Sequence, residues 1–519
     1  MLHTLFRLVR RRRSFLILFF TAALCVLNGC KEEKLAKYVF LFVGDGVSYA
    51  QRHIAELSGG ETLLSNRLPV QASATTASIS SALTDSAAAA TALATGEKVA
   101  QGVLSMDVET DTPFPLITTL AANNGYNVGL LTTATLDDAT PAAFYAHAPK
   151  RYSYYDIAVQ VPESGLRLMV GASFKRPKSL NRPDLDTVLK QGGYRLFSPA
   201  KDNTSFPSGK VIATYRTIPF AIDARENAPT LASFVRKAIA QMGTEKGFFM
   251  VVEGAKIDVA AHLHDAGALI REMQAFDDAL KEAYDFYLKH PDETLIVVTG
   301  DHETGGLTLG ADDAENIDLS VYENQKISLQ AFKYNISRFR ARHPSGAILE
   351  DFMPTLEKYF GLRLLSAQDR KELRQKARKG DEEAAAALKM ALTSSETSLL
   401  REAFRYSMMP AAKRPKTEAY LDRYGKNDPL QIAPALILAQ RAGVGFSTFG
   451  HTAVPVPVSS IGNGAYFFTG TFPLTAIFGK LLTAMGIPVP AAPSATAENP
   501  ETPAAETGEA SPAAPAKEK

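Results

Sequence analysis

Tyr38-Val39-Phe40-Leu41-Phe42-Val43-Gly44-Asp45-Gly46 is the stretch on which the fold turns. A continuous aromatic and β-branched run that stops at Gly-Asp-Gly has the pattern of a strand buried on both faces and entering a tight loop. The pattern returns at 128–132, 248–252 and 295–299, each run bounded by polar residues or glycine, with helix-like stretches between them. Such alternation predicts an α/β fold: a three-layer sandwich whose central, mostly parallel sheet is flanked by helices, with active groups gathered at the carboxyl ends of strands.

Further along, the texture changes. Residues 312–440 are charged, alanine-rich and helix-periodic, with a capping-box start at Ser366 and Asp369 and another helical run over 381–392. They predict a mainly helical insertion dividing one α/β catalytic domain into 31–311 and 441–488. Residues 489–519 are almost wholly Ala, Pro, Glu, Thr and Ser, too poor in large apolar side chains to build a core, and predict a disordered tail. No repeat of fixed period is present.

The chain of 519 residues, 46% of them hydrophobic, is long enough to bury a large core. Its formal charge of +1 hides an asymmetry. Arg7, Arg10, Arg11, Arg12 and Arg13 precede Cys30 with no acid among them, so the remainder is slightly acidic and gives no signal for nucleic-acid binding. The basic start, the apolar run over 15–27 and the small residues before Cys30 have the three parts of an export signal over 1–29. The run is shorter than the roughly 20 residues a membrane-spanning helix needs. Leu27-Asn28-Gly29-Cys30 resembles a bacterial lipobox, which predicts a lipid anchor at Cys30 and a place in the periplasm or cell envelope. Arg12-Arg13-Ser14-Phe15-Leu16 suits a twin-arginine route as well as an arginine-rich general signal. Cys25 and Cys30 are the only cysteines, so the mature body has no disulfide.

Chemistry-bearing residues fall where the strands end. Asp45 closes the first strand, and Asp138 and Thr140 follow the second. Glu253 follows the third, and Asp258 and His262 come next at i, i+4, sharing one face if that stretch is helical. Asp301 and His302 follow the fourth strand, and His451 stands in Gly450-His451-Thr452. Each has a bland reading as turn former, cap or packed histidine. Together, so many acids and imidazoles at core strand ends would repel one another or stay unpaired unless cations joined them. Mixed Asp/His sets suit zinc, and an all-oxygen set of Asp, Thr and Glu suits magnesium. Ser86, in Thr84-Asp85-Ser86-Ala87-Ala88-Ala89-Ala90, opens an alanine-rich helix, where it is either an N-cap or a nucleophile beside an anion-friendly helix end. Asp85 reads as a helix cap. His147 and His264 read as solvated.

The conjunction of FVGDGVS (42–48), TDSAAAATALATGEK (84–98), LDDATPAAFYAH (136–147), VEGAKIDVAAH (252–262), VTGDHETGG (298–306) and GHTAVPVPV (450–458) resembles the alkaline phosphatase family, over roughly 38–310 and 440–475. The resemblance implies hydrolysis of small phosphate monoesters through a phosphoserine at Ser86. It implies zinc at Asp258, His262 and His451, a second zinc at Asp45, Ser86, Asp301 and His302, and magnesium at Asp45, Asp138, Thr140 and Glu253. Arg151, eleven residues after Thr140, would grip the phosphoryl oxygens, with Asp85 orienting it. A homodimer is a common assembly in the family. Val259 departs from the pattern, for many relatives carry lysine or histidine there. Two rivals stand beside this reading: a phosphodiesterase or sulfatase of the same fold, and a non-catalytic metal- or phosphate-binding lipoprotein. The sulfatase signature, Cys or Ser followed by x-Pro-x-Arg, is absent around Ser86.

Overall fold

Tyr38–Gly44 forms strand β1, and all of its residues are buried. The computed structural model describes residues 35–199, 204–311 and 316–491; the expected export signal, Cys30 and the tail from 492 onward lie outside the described residues. Described residues up to Pro488 belong to one compact unit.

The other principal strands are β2 (Val70–Thr75), β3 (Asn127–Thr135), β4 (Leu168–Ala172), β5 (Arg195–Phe197), β6 (Val211–Tyr215), β7 (Phe248–Gly254), β8 (Thr294–Gly300), β9 (Val456–Gly462) and β10 (Gly470–Pro473). They form a 10-stranded sheet in the order β10-β2-β9-β8-β1-β7-β3-β4-β6-β5. Only β9 runs against its neighbours, β8 and β2; the other pairings are parallel. β1 lies between β8 and β7, so the chain leaves the centre of the sheet in both directions. That is the switch point where open α/β sheets form their crevice.

The main helices are α1 (Ser86–Thr95), α2 (Leu231–Met242), α3 (Lys256–His262), α4 (Ala266–Tyr287), α5 (Leu329–Arg342), α6 (Leu349–Phe360), α7 (Ala367–Ala377), α8 (Glu382–Lys389), α9 (Ser394–Met408), α10 (Glu418–Tyr424), α11 (Pro429–Ala442) and α12 (Ala476–Met485). Because side chains alternate across a strand, β1 feeds two cores. Phe40 and Phe42 pack with α2 and α4 on one face, while Val39, Leu41 and Val43 pack with α1 and α12 on the other. Every residue of α1 is buried, and its alanines let the helix lie close to its neighbours.

The helical region α5–α11 joins the sheet's own core. Phe332, Phe352, Leu400 and Leu438 share one buried cluster with Phe40 and Phe42 of β1. The capping box is present at α7, where Ser366 and Asp369 bond reciprocally, and no residue of that helix is buried. Among the described residues no helix is long and apolar enough to cross a membrane.

Candidate active site

Three glycines set the floor of the site. Gly44, Gly300 and Gly254 are register partners at the carboxyl ends of β1, β8 and β7. A Cβ on Gly300 would lie 2.0 Å from the Val47 carbonyl oxygen, and one on Gly44 or Gly254 would meet side chains at 2.6 Å. Asp45 and Asp301 each follow one of these glycines, so adjacent parallel strands deliver two carboxyl groups to one spot.

There the Asp301 Oδ1 accepts backbone N–H bonds from Gly46 at 3.0 Å and His302 at 2.8 Å. Asp301 Oδ2 and Asp45 Oδ1 are buried without a hydrogen-bond partner. His302 Nε2 lies 3.4 Å from that Asp301 oxygen and 3.6 Å from that Asp45 oxygen. Burial foremost, with neighbouring carboxylates, pushes the Asp45 carboxyl well above its ordinary range and the Asp301 carboxyl up to about 7, while burial holds the His302 imidazole well below its ordinary value. Without a cation, this corner favours neutral groups.

Ser86 is the first helical residue of α1, and Asp85 is its N-cap. The two readings of Asp85 hold at once. Its Oδ1 accepts from the N–H groups of Ala88 and Gly102, each at 3.1 Å, and its Oδ2 accepts from Arg151 at 2.9 Å. Relieved of capping, the Ser86 Oγ stands 3.2 Å from His302 Nε2.

Asp258 and His262, both on α3, meet His451 on the other side of His302. His262 Nε2 is 3.3 Å from Asp258 Oδ2 and 3.2 Å from His451 Nε2, and His451 Nε2 is 3.8 Å from Asp258 Oδ1. The outer nitrogens fix the tautomers. His262 Nδ1 bonds the Phe449 carbonyl at 2.6 Å and His451 Nδ1 bonds the Thr84 carbonyl at 2.8 Å, and a carbonyl only accepts. With those protons placed, two Nε2 lone pairs face each other beside a carboxylate, a contact that a cation or a shared proton relieves. Two ligand sets lie within 4.8 Å internally: Asp45 with Asp301 and His302, and Asp258 with His302 and His451.

Asp138, Thr140 and Glu253 line the same cleft as Ser86, Asp45 and Arg151. The Thr140 hydroxyl is buried without a partner. Burial pushes Glu253 up to about 8, and Thr132, its register partner on β3, donates to it. Asp138 is engaged by cations of the chain itself, with Lys175 Nζ at 2.8 Å and Arg151 at 3.5 Å. The orphaned oxygens of Asp45, Asp301 and Thr140 and the paired lone pairs of the histidines form a donor set suited to divalent cations.

Three residues that bear on the site were not singled out from sequence: Thr132, Lys175 and Thr304. Thr304 Oγ1 donates to Asp258 Oδ1 at 2.6 Å and lies 3.2 Å from His302 Nδ1, linking the two clusters. Its only signal was its place two residues after His302, on the same side of an extended segment. Two expectations need correction. His264 is buried at 6% exposure, its ring stacked between Phe446 and Phe449, and His147 is partly buried with Nδ1 2.7 Å from the Ser105 carbonyl. α3 ends at His262, and His264 sits at φ 56°, so helix-face reasoning did not reach it.

Comparison with known proteins agrees with this geometry. The family described as "Alkaline phosphatase" matches residues 36–210 and 214–487. Alkaline phosphatase 3 of Bacillus subtilis (strain 168) is 28% identical over 415 residues, spanning 78% of this chain and 77% of that protein. Alkaline phosphatase 4 of the same organism is 32% identical over 245 residues, 45% of this chain and 52% of that protein. The crystal structure of a cold-active alkaline phosphatase from the psychrophile Shewanella sp. superposes with a TM-score of 0.69 at 26% identity, over 86% of this chain and 99% of that one. With its mostly parallel sheet, its crevice at the central strand ends and a family match along nearly the whole described chain, the protein belongs to the alkaline phosphatase family, whose fold and membership support phosphatase activity.

Proposed function

We propose that the chain is a metal-dependent phosphomonoesterase in which the Ser86 Oγ receives the phosphoryl group. One observation carries the reading: a serine hydroxyl freed from capping faces His302 Nε2 at 3.2 Å, beside buried oxygens of Asp45 and Asp301 that have no hydrogen-bond partner. Two zinc ions and one magnesium ion would be held by Asp258, His262 and His451, by Asp45, Ser86, Asp301 and His302, and by Asp45, Asp138, Thr140 and Glu253. Such ions lower the pKa of a bound hydroxyl and neutralise charge on the oxygens entering and leaving phosphorus.

The chain's own groups supply the positioning. Asp85 aims the Arg151 guanidinium, whose planar fork matches two non-bridging phosphoryl oxygens, and the start of α1 adds its positive dipole end. The bond from Ser86 Oγ to phosphorus forms as the bond from phosphorus to the alcohol oxygen breaks. The serine proton passes to solvent, and the departing alkoxide takes one up. Water then attacks the phosphoserine, releasing inorganic phosphate and restoring the hydroxyl.

In the same reading the protein is exported and lipid-anchored at Cys30, acts on small phosphate monoesters and assembles as a homodimer; the anchor rests on the sequence of residues 1–30 alone. Hydrolysis of p-nitrophenyl phosphate after chelation and zinc or magnesium re-addition tests the activity, with acid trapping of a phosphoserine in wild type and its loss in Ser86→Ala. Turnover retained by Ser86→Ala, or faster hydrolysis of bis(p-nitrophenyl) phosphate, overturns the reading.

A further inference from the structure

The cleft of about 490 Å³ around Ser86 does not end at the reacting groups. Val259 and Gln330 line it and also line a second, larger groove of about 1150 Å³. The groove's other walls include His262, Leu263, Tyr334, Leu421, Asn427 and Phe449. It therefore opens beside the cluster of Asp258, His262 and His451 and runs outward between α3, the 447–450 loop and the helices α5 and α10. Nothing among the described residues covers it: the Tyr334 side chain is 73% exposed and Leu421 is 42% exposed.

We propose that this groove receives the alcohol half of the substrate, and that the favoured substrates are monoesters of a ring-bearing polar alcohol of nucleoside size. The inference rests on the phosphomonoesterase reading, because the shared walls at Val259 and Gln330 then join the reacting phosphorus to the groove. Its size exceeds the ~300–1,000 Å³ typical of pockets that bury drug-sized ligands, far more than a small alcohol fills. Its chemistry suits a flat ring with polar edges: the exposed face of Tyr334 and the half-buried ring of Phe449, with the amides of Gln330 and Asn427 beside them. Val259 and Gln330 are the two lining residues common to both cavities, and Val259 presents a short apolar side chain there. The helical region thus acts as the wall that chooses the alcohol, and the strand ends carry the chemistry.

Tyr334→Ala tests this, and its exposure makes loss of folding no obstacle. Phosphate release from adenosine 5′-monophosphate and from glycerol 3-phosphate is compared in holoenzyme. Loss of one stacked ring lowers kcat/KM for the nucleotide about tenfold and leaves that for glycerol phosphate within about twofold. Binding of free adenosine, measured by calorimetry in Ser86→Ala, weakens about tenfold when Tyr334→Ala is added. Equal effects on both esters, no effect on either, or unchanged adenosine binding overturns the proposal. If wild type hydrolyses neither ester, the phosphomonoesterase reading fails, and adenosine binding still decides the groove.

Discussion

Replacing Thr304 with valine removes one hydroxyl and almost no volume, yet it touches both candidate metal clusters. Thr304 is fully buried; its Oγ1 donates to Asp258 Oδ1 at 2.6 Å and accepts from His302 Nδ1 at 3.2 Å. In Thr304→Val a buried carboxylate oxygen and a buried N–H lose their partner, at a cost of ~1–3 kcal/mol each. Ligands that must be held in one orientation bear that cost most heavily when a cation is bound. About 1.4–2.8 kcal/mol of it corresponds to a 10–100-fold loss of affinity, the range found when outer partners of metal ligands are removed. Because Thr304 joins a ligand from each cluster, two zinc equivalents should weaken together. Metal-free protein titrated with zinc against a chromophoric chelator measures both, and Thr304→Ser, which keeps the hydroxyl, restores them. Two equivalents bound with affinity within about twofold of wild type would refute the reasoning.

Two further outcomes concern stability. Burial raises the Glu272 carboxyl from its ordinary 4.5 to about 7, while its Oε1 accepts from Ala221 N–H at 2.5 Å. Between those values the folded protein binds more proton than the unfolded chain, so stability falls as pH rises from 4.5 to 7 and stays lowered above. Glu272→Gln keeps an acceptor for Ala221 without that penalty, so urea unfolding at pH 8 should show a gain of up to about 3 kcal/mol, with little change near pH 4; equal destabilisation at both pH values would contradict it. Gly300→Ala places a methyl 2.0 Å from the Val47 carbonyl, which the backbone must move to relieve. Thermal unfolding should report a loss of ~1–3 kcal/mol, with weaker zinc binding because Asp301 moves with Gly300; a variant equal to wild type in both would show that the close approach carries no strain.

The central strands were legible because burial on both faces leaves them almost no polar positions: the runs at 38–43, 128–132, 248–252 and 295–299 all lie within strands. The helical character of the 312–440 region was legible in its period and caps. Its union with the sheet's core was not, since an apolar stripe says that a helix packs and not against what. The direction of β9 was equally hidden; residues 441–488 read as a return to the catalytic domain, and only pairing shows that the strand comes back antiparallel. Thr132 and Lys175 carry no local signature. Each acquires its role from a carboxylate far away in sequence, Glu253 for one and Asp138 for the other.

The convergence of Asp45 and Asp301 shows what joins sequence to chemistry here. Neither aspartate is special alone; each follows a glycine that ends a buried parallel strand. Register makes those glycines neighbours, Gly44 opposite Gly300 on one side and Gly254 on the other. A slip of one residue in β8 would send Asp301 to the opposite face, since side chains alternate along a strand. Hydrophobicity alone does not fix the register of β1 and β8, because both faces of each strand are buried and, Thr294 and Thr299 aside, apolar. What fixes them is the crowding at their ends: only a residue without Cβ fits beside the Val47 carbonyl at position 300, and only Gly300 stands there. The same glycine that pins the register therefore aims the carboxylate, and two acids more than two hundred residues apart meet beside Ser86.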